Sequence, residues 1–106
     1  MVIVETRPFQ RVRDKCFTER EFGELTYALF RRPELGVVIQ GTGGVRKLRW
    51  RSGNRGKRSG IRVIYYIESS NEAIYLLTAY AKKDTADLPH HLLRKMRLLI
   101  ENGKED

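Results

Sequence analysis

The chain has a single cysteine, Cys16, among its 106 residues. It cannot form an internal disulfide, and its cysteine usage gives no sign of an oxidising compartment. A lone cysteine in a helical pattern reads as a small core residue and not as a nucleophile. The only two histidines are the adjacent His90 and His91, and with one thiol they make no metal-ligand spacing. Long apolar runs are missing as well. No segment approaches the ~20 residues of a membrane span, and the opening MVIVETRPFQR lacks the apolar stretch of a signal peptide. The expected location is therefore the cytoplasm. Neither GTGG nor GNRGKRSG supplies the G-x-x-x-x-G-K-[ST] spacing of a P-loop. No Ser-His-Asp arrangement stands out, and no cofactor is called for.

What remains is a folded, unevenly charged domain. Hydrophobic residues make up 41% of the chain, with five tyrosines, four phenylalanines and one tryptophan, too many for a basic disordered tail. The length fits one domain over 1–106, of a size that buries roughly two thirds of its unfolded surface. Formal net charge is +8 from 21 Lys and Arg against 13 Asp and Glu. Eight of those cations lie in RKLRWRSGNRGKRSGIR (46–62), which holds no acid, so the rest of the chain balances 13 against 13. A localised cationic excess is the footprint of a protein that meets a polyanion, most commonly nucleic acid.

The periodicities order the elements as β-α-α-β-β-β-α. VIV (2–4) reads as a first strand, and TRPFQRVRD (6–14) as a helix with Thr6 as its cap and Pro8 in its first turn. Thr18 and Glu21 form a capping box, with Phe17 and Phe22 at the positions of a hydrophobic staple. Phe22, Leu25, Leu29 and Phe30 carry the helical period until Arg32-Pro33 stops it. GVVIQGTGG (36–44) reads as a loop. In VRKLRWR the period becomes two, placing Leu48 and Trp50 on one face and Lys47, Arg49 and Arg51 on the other. SGNRGKRSG (52–60) has the composition of a long hairpin loop. IRVIYYIE (61–68) and AIYLLTAYAKK (73–83) follow as strands around the turn SSNE. Pro89 opens a last helix with Leu92, Leu93, Met96, Leu99 and Ile100 on its apolar side, ended by Asn102-Gly103. The expected fold class is α+β, a small, mainly antiparallel twisted sheet packed against helices.

The chemistry lies in the cations. Three adjacent strands bring Lys47 and Arg49, Arg62, and Lys82 with Lys83 toward one surface, fixed there by the buried residues between them. Arg62 is expected to be exposed, so that its truncation would leave stability nearly unchanged. RNA carries its own nucleophile, the 2′-hydroxyl. An enzyme need only position it, take its proton, stabilise charge on phosphorus and protonate the leaving 5′-oxygen. Arginines suit the charge stabilisation by bidentate contact. A lysine could serve as the base only if its pKa fell by roughly three units, which neighbouring like charges favour. Most of Tyr65, Tyr66, Tyr75 and Tyr80 are expected to be buried on their strands, and His90 and His91 to be exposed.

LGVVIQGTGGVRKLRW, GIRVIYY and YLLTAYAKKD together resemble the RelE/HigB branch of bacterial toxin–antitoxin toxins. The series R-K-L-R, G-x-R-x-I-Y-Y, Y-x-K-K-D carries the likeness from about residue 35 to 88, and the element order extends it over the whole chain. The resemblance implies a RelE-like fold. It also implies a ribosome-dependent, metal-independent endoribonuclease that cuts mRNA in the ribosomal A site by 2′-hydroxyl attack, restrained by a cognate antitoxin that wraps it or displaces part of it. It assigns Lys47 and Arg49 to proton abstraction and transition-state charge, Arg62 to the scissile phosphate, and Lys83 to the basic position after the last strand. Arg46, Arg51, Arg55, Lys57, Arg58 and Lys82 are expected to bind RNA, the loop residues contacting ribosomal RNA. RelE has a tyrosine a few residues further on, where this chain reads ADLPHH, so that its role falls to His90 or His91 or is absent here. Two other classes fit the same composition: a non-catalytic ParE-like inhibitor of DNA gyrase, and a plain RNA-binding module.

Overall fold

The computed structural model describes residues 1–51, 60–82 and 87–103. Arg55, Lys57 and Arg58 of the basic loop, and Lys83, lie outside the described residues. A short strand β1 (Val2–Glu5) leads through Thr6 into α1 (Arg7–Cys16). Thr6 stands at the N-cap, but its hydroxyl makes no cap bond. It is buried and donates instead to the carbonyl oxygen of Leu76, 2.8 Å away. The sequence signal for a cap is thus spent on fastening the strand-to-helix turn to the sheet.

Helix α2 (Glu19–Arg31) starts as its sequence dictates. The Thr18 hydroxyl accepts from the Glu21 backbone N–H at 3.1 Å, and the Glu21 carboxylate accepts from the Thr18 N–H at 2.9 Å, satisfying two donors the helix leaves free. Phe17 and Phe22 close over this turn with ring centroids 6.2 Å apart, and Phe9 of α1 stacks against both. Phe22, Leu25 and Leu29 are buried, whereas Phe30 is 57% exposed. Four apolar positions span more arc than the sheet covers, so the last faces water.

The sheet has five strands in the order β1-β5-β4-β3-β2: β2 (Val37–Val38), β3 (Arg46–Trp50), β4 (Ile61–Glu68) and β5 (Ala73–Ala81) join antiparallel, and β1 pairs parallel with β5. Strand β2 falls inside the segment expected to be loop. Two residues carry no usable period, and only pairing with Arg46 and Lys47 makes them a strand. A register shift between Ile64 and Tyr65 leaves Leu77 as an extra residue in β5. The two sheet faces form separate cores. One, against α1 and α2, holds Leu48, Ile61, Val63, Tyr65, Ile74, Leu76, Ala79 and Ala81. The other, against α3 (His90–Glu101), holds Val45, Ile64, Leu77, Leu93 and Ile100.

Buried polar bonds set the edges of these layers. The Tyr65 hydroxyl donates to the Pro33 carbonyl and accepts from the Gly36 N–H, both at 2.7 Å, tying the end of α2 to the centre of the sheet. On the other face α3 grips the turn between β2 and β3. Arg94 donates to the Gly41 carbonyl at 2.9 Å and Arg97 to the Thr42 carbonyl at 2.7 Å. Gly43, at φ +82, leaves no room for a side chain, because a Cβ there would stand 2.4 Å from Arg97 Nε. Tyr66 donates to Glu101, which also pairs with Arg97 at 2.7 Å. In α3 Leu93 and Ile100 are buried and Met96 half-buried, but Leu92 and Leu99 remain exposed. Among the described residues no helix is long and apolar enough to cross a membrane.

Candidate nucleic-acid interface

The face of the sheet that α3 packs against is only partly covered, and the uncovered part carries the charge. The alternation in β3 is as expected. Leu48 and Trp50 join the core under α1 and α2, while Lys47 and Arg49 lie on the opposite face. Register then fixes the neighbours. Arg49 stands directly opposite Arg62, and Arg62 opposite Tyr80. Directly paired residues have Cα atoms only ~4.5–5.5 Å apart, so these three side chains form one row across β3, β4 and β5. Lys47, opposite Ile64, begins the next row along.

Arg62 is 7% exposed and is engaged within the fold. The expectation of an exposed arginine is therefore corrected: Arg62 lies on the central strand β4, paired in register between Arg49 and Tyr80. Arg49 and Arg51 are exposed. Two arginines directly opposite in a sheet repel each other and destabilise the pairing. Arg62 has partners within the fold, so the pair presents one exposed guanidinium, that of Arg49, beside a buried one.

Arg46 does not join this group. It falls with Leu48 and Trp50 on the other side of the strand, and its guanidinium donates to the carbonyl of Gly36 at 2.7 Å. Lys82 is exposed in the turn after β5.

Sequence reasoning missed two members of the site. Tyr80 reaches this face because of the bulge at Leu77. In a regular β5 it would lie on the same side as Ile74 and Leu76, but the extra residue shifts the alternation and aims it at Arg62. It is half-buried, and burial raises its hydroxyl pKa above the ordinary tyrosine value, with Asp87 adding and Arg62 opposing. At neutral pH it is a phenol that can donate a hydrogen bond. The second is Asp87, whose carboxylate lies 3.1 Å from Lys47 Nζ. The hydrogen bond and charge of Lys47 hold Asp87 below the usual carboxylate range, with Lys82 and His90 adding to this. No local pattern in TADLPHH marks this acid as a partner for a lysine forty residues earlier. Lys47 is thus one half of an ion pair on this face.

Lys47, Tyr80, Asp87 and His90 line a small cavity of about 30 Å³, floored by Ile39, Ile64, Leu88 and Leu93, with room for a water-sized group. Of the two histidines, both exposed, His90 lines it and His91 does not. The clamp of α3 on the β2–β3 turn holds His90 there. Among the described residues no group of three His, Cys, Asp or Glu is placed to hold a metal.

No protein-family model matches the chain. Among solved structures it is similar to the E. coli toxin RelE, in a double-mutant form in the free state, with a TM-score of 0.63 and 13% identity over 92% of this chain and 97% of that one. The α+β arrangement described above, three helices on a five-stranded mixed sheet, is thus the RelE fold.

Proposed function

We propose that the chain is the toxin of a type II toxin–antitoxin pair and acts as a ribosome-dependent, metal-independent mRNA endonuclease. The observation that carries this reading is the register that sets Arg49 opposite Arg62 with Lys47 one row along, three cations on one face of the sheet. Arg49 and Arg62 grip the non-bridging oxygens of the scissile phosphate. His90 lines the cavity beside Lys47, and its imidazole takes the proton of the 2′-hydroxyl as that oxygen attacks phosphorus. The Lys47 ammonium protonates the leaving 5′-oxygen. The products are a cyclic phosphate and a 5′-hydroxyl. Lys82 and Lys83 support the phosphate, and Arg51, Arg55, Lys57 and Arg58 contact ribosomal RNA.

Cations alone do not force free RNA into line for attack, and correct alignment is worth several kcal/mol of a barrier. The decoding site supplies it by holding the message bent in an empty A site. The expected partners are the ribosome with its mRNA and a cognate antitoxin, in the cytoplasm. The test is cleavage of one message, naked and loaded on ribosomes with an empty A site. Fragments with 5′-hydroxyl ends should appear only on the ribosome. Equal rates on both would refute ribosome dependence. A block of DNA synthesis ahead of translation in pulse-labelled cells would replace the nuclease with a gyrase inhibitor.

A further inference from the structure

Asp87 is out of place in a site built for phosphate. It is the sole acid among the eight described residues lining the cavity, it lies in no helix or strand, and it puts a carboxylate oxygen 3.1 Å from Lys47 Nζ. That is within hydrogen-bonding distance, so the carboxylate stands where a phosphate oxygen on Lys47 would have to come. Its side chain is 77% exposed, so it supports no packing. An exposed ion pair of this kind contributes little to folding, which leaves its effect on the site as its consequence.

We propose that Asp87 is a specificity-determining residue that occupies the Lys47 end of the phosphate site and keeps isolated anions out. The inference rests on the reading of Lys47, Arg49 and Arg62 as an RNA-backbone site. Any anion that reaches Lys47 must displace the Asp87 carboxylate. A free phosphate offsets that exchange only through its own oxygens on Arg49 and Arg62. An RNA backbone adds further contacts, because the phosphates on either side of the scissile one reach the exposed Arg51 and Lys82. The site therefore stays closed to small phosphates and opens to a polyanion.

The test uses a fluorescent 2′-O-methyl oligoribonucleotide, which binds but cannot be cut, titrated into the intact protein and its Asp87→Asn, Lys47→Gln and doubly substituted variants at several salt concentrations. Thermal melts confirm that each variant folds. Asp87→Asn should bind the RNA about two- to fivefold more tightly, the range of a single exposed ion pair. Its log K against log salt should be steeper by about 0.7, since Lys47 then releases a counterion and no longer a carboxylate. In the Lys47→Gln background the same substitution should change neither quantity. Inorganic phosphate should compete detectably against Asp87→Asn at concentrations where the unsubstituted protein is indifferent. An Asp87→Asn gain that persists without Lys47 would overturn the proposal, since it would show only the general field of one acid. Normal salt-dependent RNA binding with no gain in Asp87→Asn would also overturn it while leaving the RNA site intact. Failure of every form to bind RNA would remove both.

Discussion

Arg62 separates folding from function. Its side chain is buried at the centre of the sheet, 7% exposed. Replacing it with alanine removes a buried cation and leaves the groups it engages unpaired, a loss of about 3 kcal/mol. For a domain of this size that corresponds to a fall in melting temperature of roughly 10–15 °C. Inactivity of the alanine variant would therefore prove nothing by itself. Arg62→Lys is the informative change. Lysine keeps the charge and most of the apolar stem, so the melting temperature should fall by less than about 5 °C, equivalent to about 1 kcal/mol. It loses the planar fork that meets two phosphate oxygens at once. Losing one charge-assisted hydrogen bond to the transition state, about 1.5–3 kcal/mol, predicts a roughly 10- to 100-fold slower cleavage on programmed ribosomes. The assay is a single-turnover time course, with circular dichroism melts on the same preparations. A lysine variant that melts normally and cuts at the original rate would show that Arg62 is a structural cation, and that the phosphate grip must lie elsewhere.

Tyr65→Phe should destabilise by about 1–3 kcal/mol in denaturant titrations, because it orphans the Gly36 N–H and the Pro33 carbonyl in a buried setting; a change under about 0.5 kcal/mol would mean water replaces the hydroxyl. Thr18→Ala should cost about 1 kcal/mol by removing the capping box of α2, read as a shift in denaturation midpoint at constant slope. The Glu101 carboxyl is held below its usual range by the hydrogen bond from Tyr66, with Arg97 adding. Its stabilisation of α3 is thus present above the ordinary carboxylate pKa and lost as pH falls through the lowered value; an acid titration of helicity should lose its lowest-pH step in Glu101→Gln and keep it otherwise. Single-turnover cleavage on programmed ribosomes should lose most of its rate in His90→Asn and keep it in His91→Asn, since only His90 lines the cavity. Equal behaviour of the two variants would remove His90 from the reaction.

The elements with a local cause were legible. The capping box at Thr18, the two-residue period in VRKLRWR and the stop at Asn102-Gly103 each act within one turn or one strand, and each stands where the sequence places it. What escaped depends on partners distant in sequence. Strand β2 exists only by pairing with β3. The hydroxyl of Thr6 found the Leu76 carbonyl, seventy residues away, and not its own helix. Phe30 kept the helical period yet faces water, because periodicity tells which residues share a face and not how wide a surface covers it. The site divides the same way. Lys47 and Arg49 were readable from alternation, whereas Asp87 needed the chain to close over forty residues.

Tyr80 shows the reason most directly. A single extra residue at Leu77 reverses the sides of everything after it in β5, so Ala79 and Ala81 take the core positions beneath α1 and α2 while Tyr80 turns to Arg62. Small residues at 79 and 81 are consistent with that reversal, but they fit an exposed edge equally well, and only the register with β4 decides. The same register sets Arg49 against Arg62, where hydrophobic pairing would have been more stable. Bulge and like-charge pair meet on one half-covered face, beside a cavity holding a lysine, a carboxylate and an imidazole. A sheet shaped by stability alone would avoid both features at its centre, and local departures from folding rules gather where a surface has other work. The proposed function rests on that coincidence more than on the net charge of the chain.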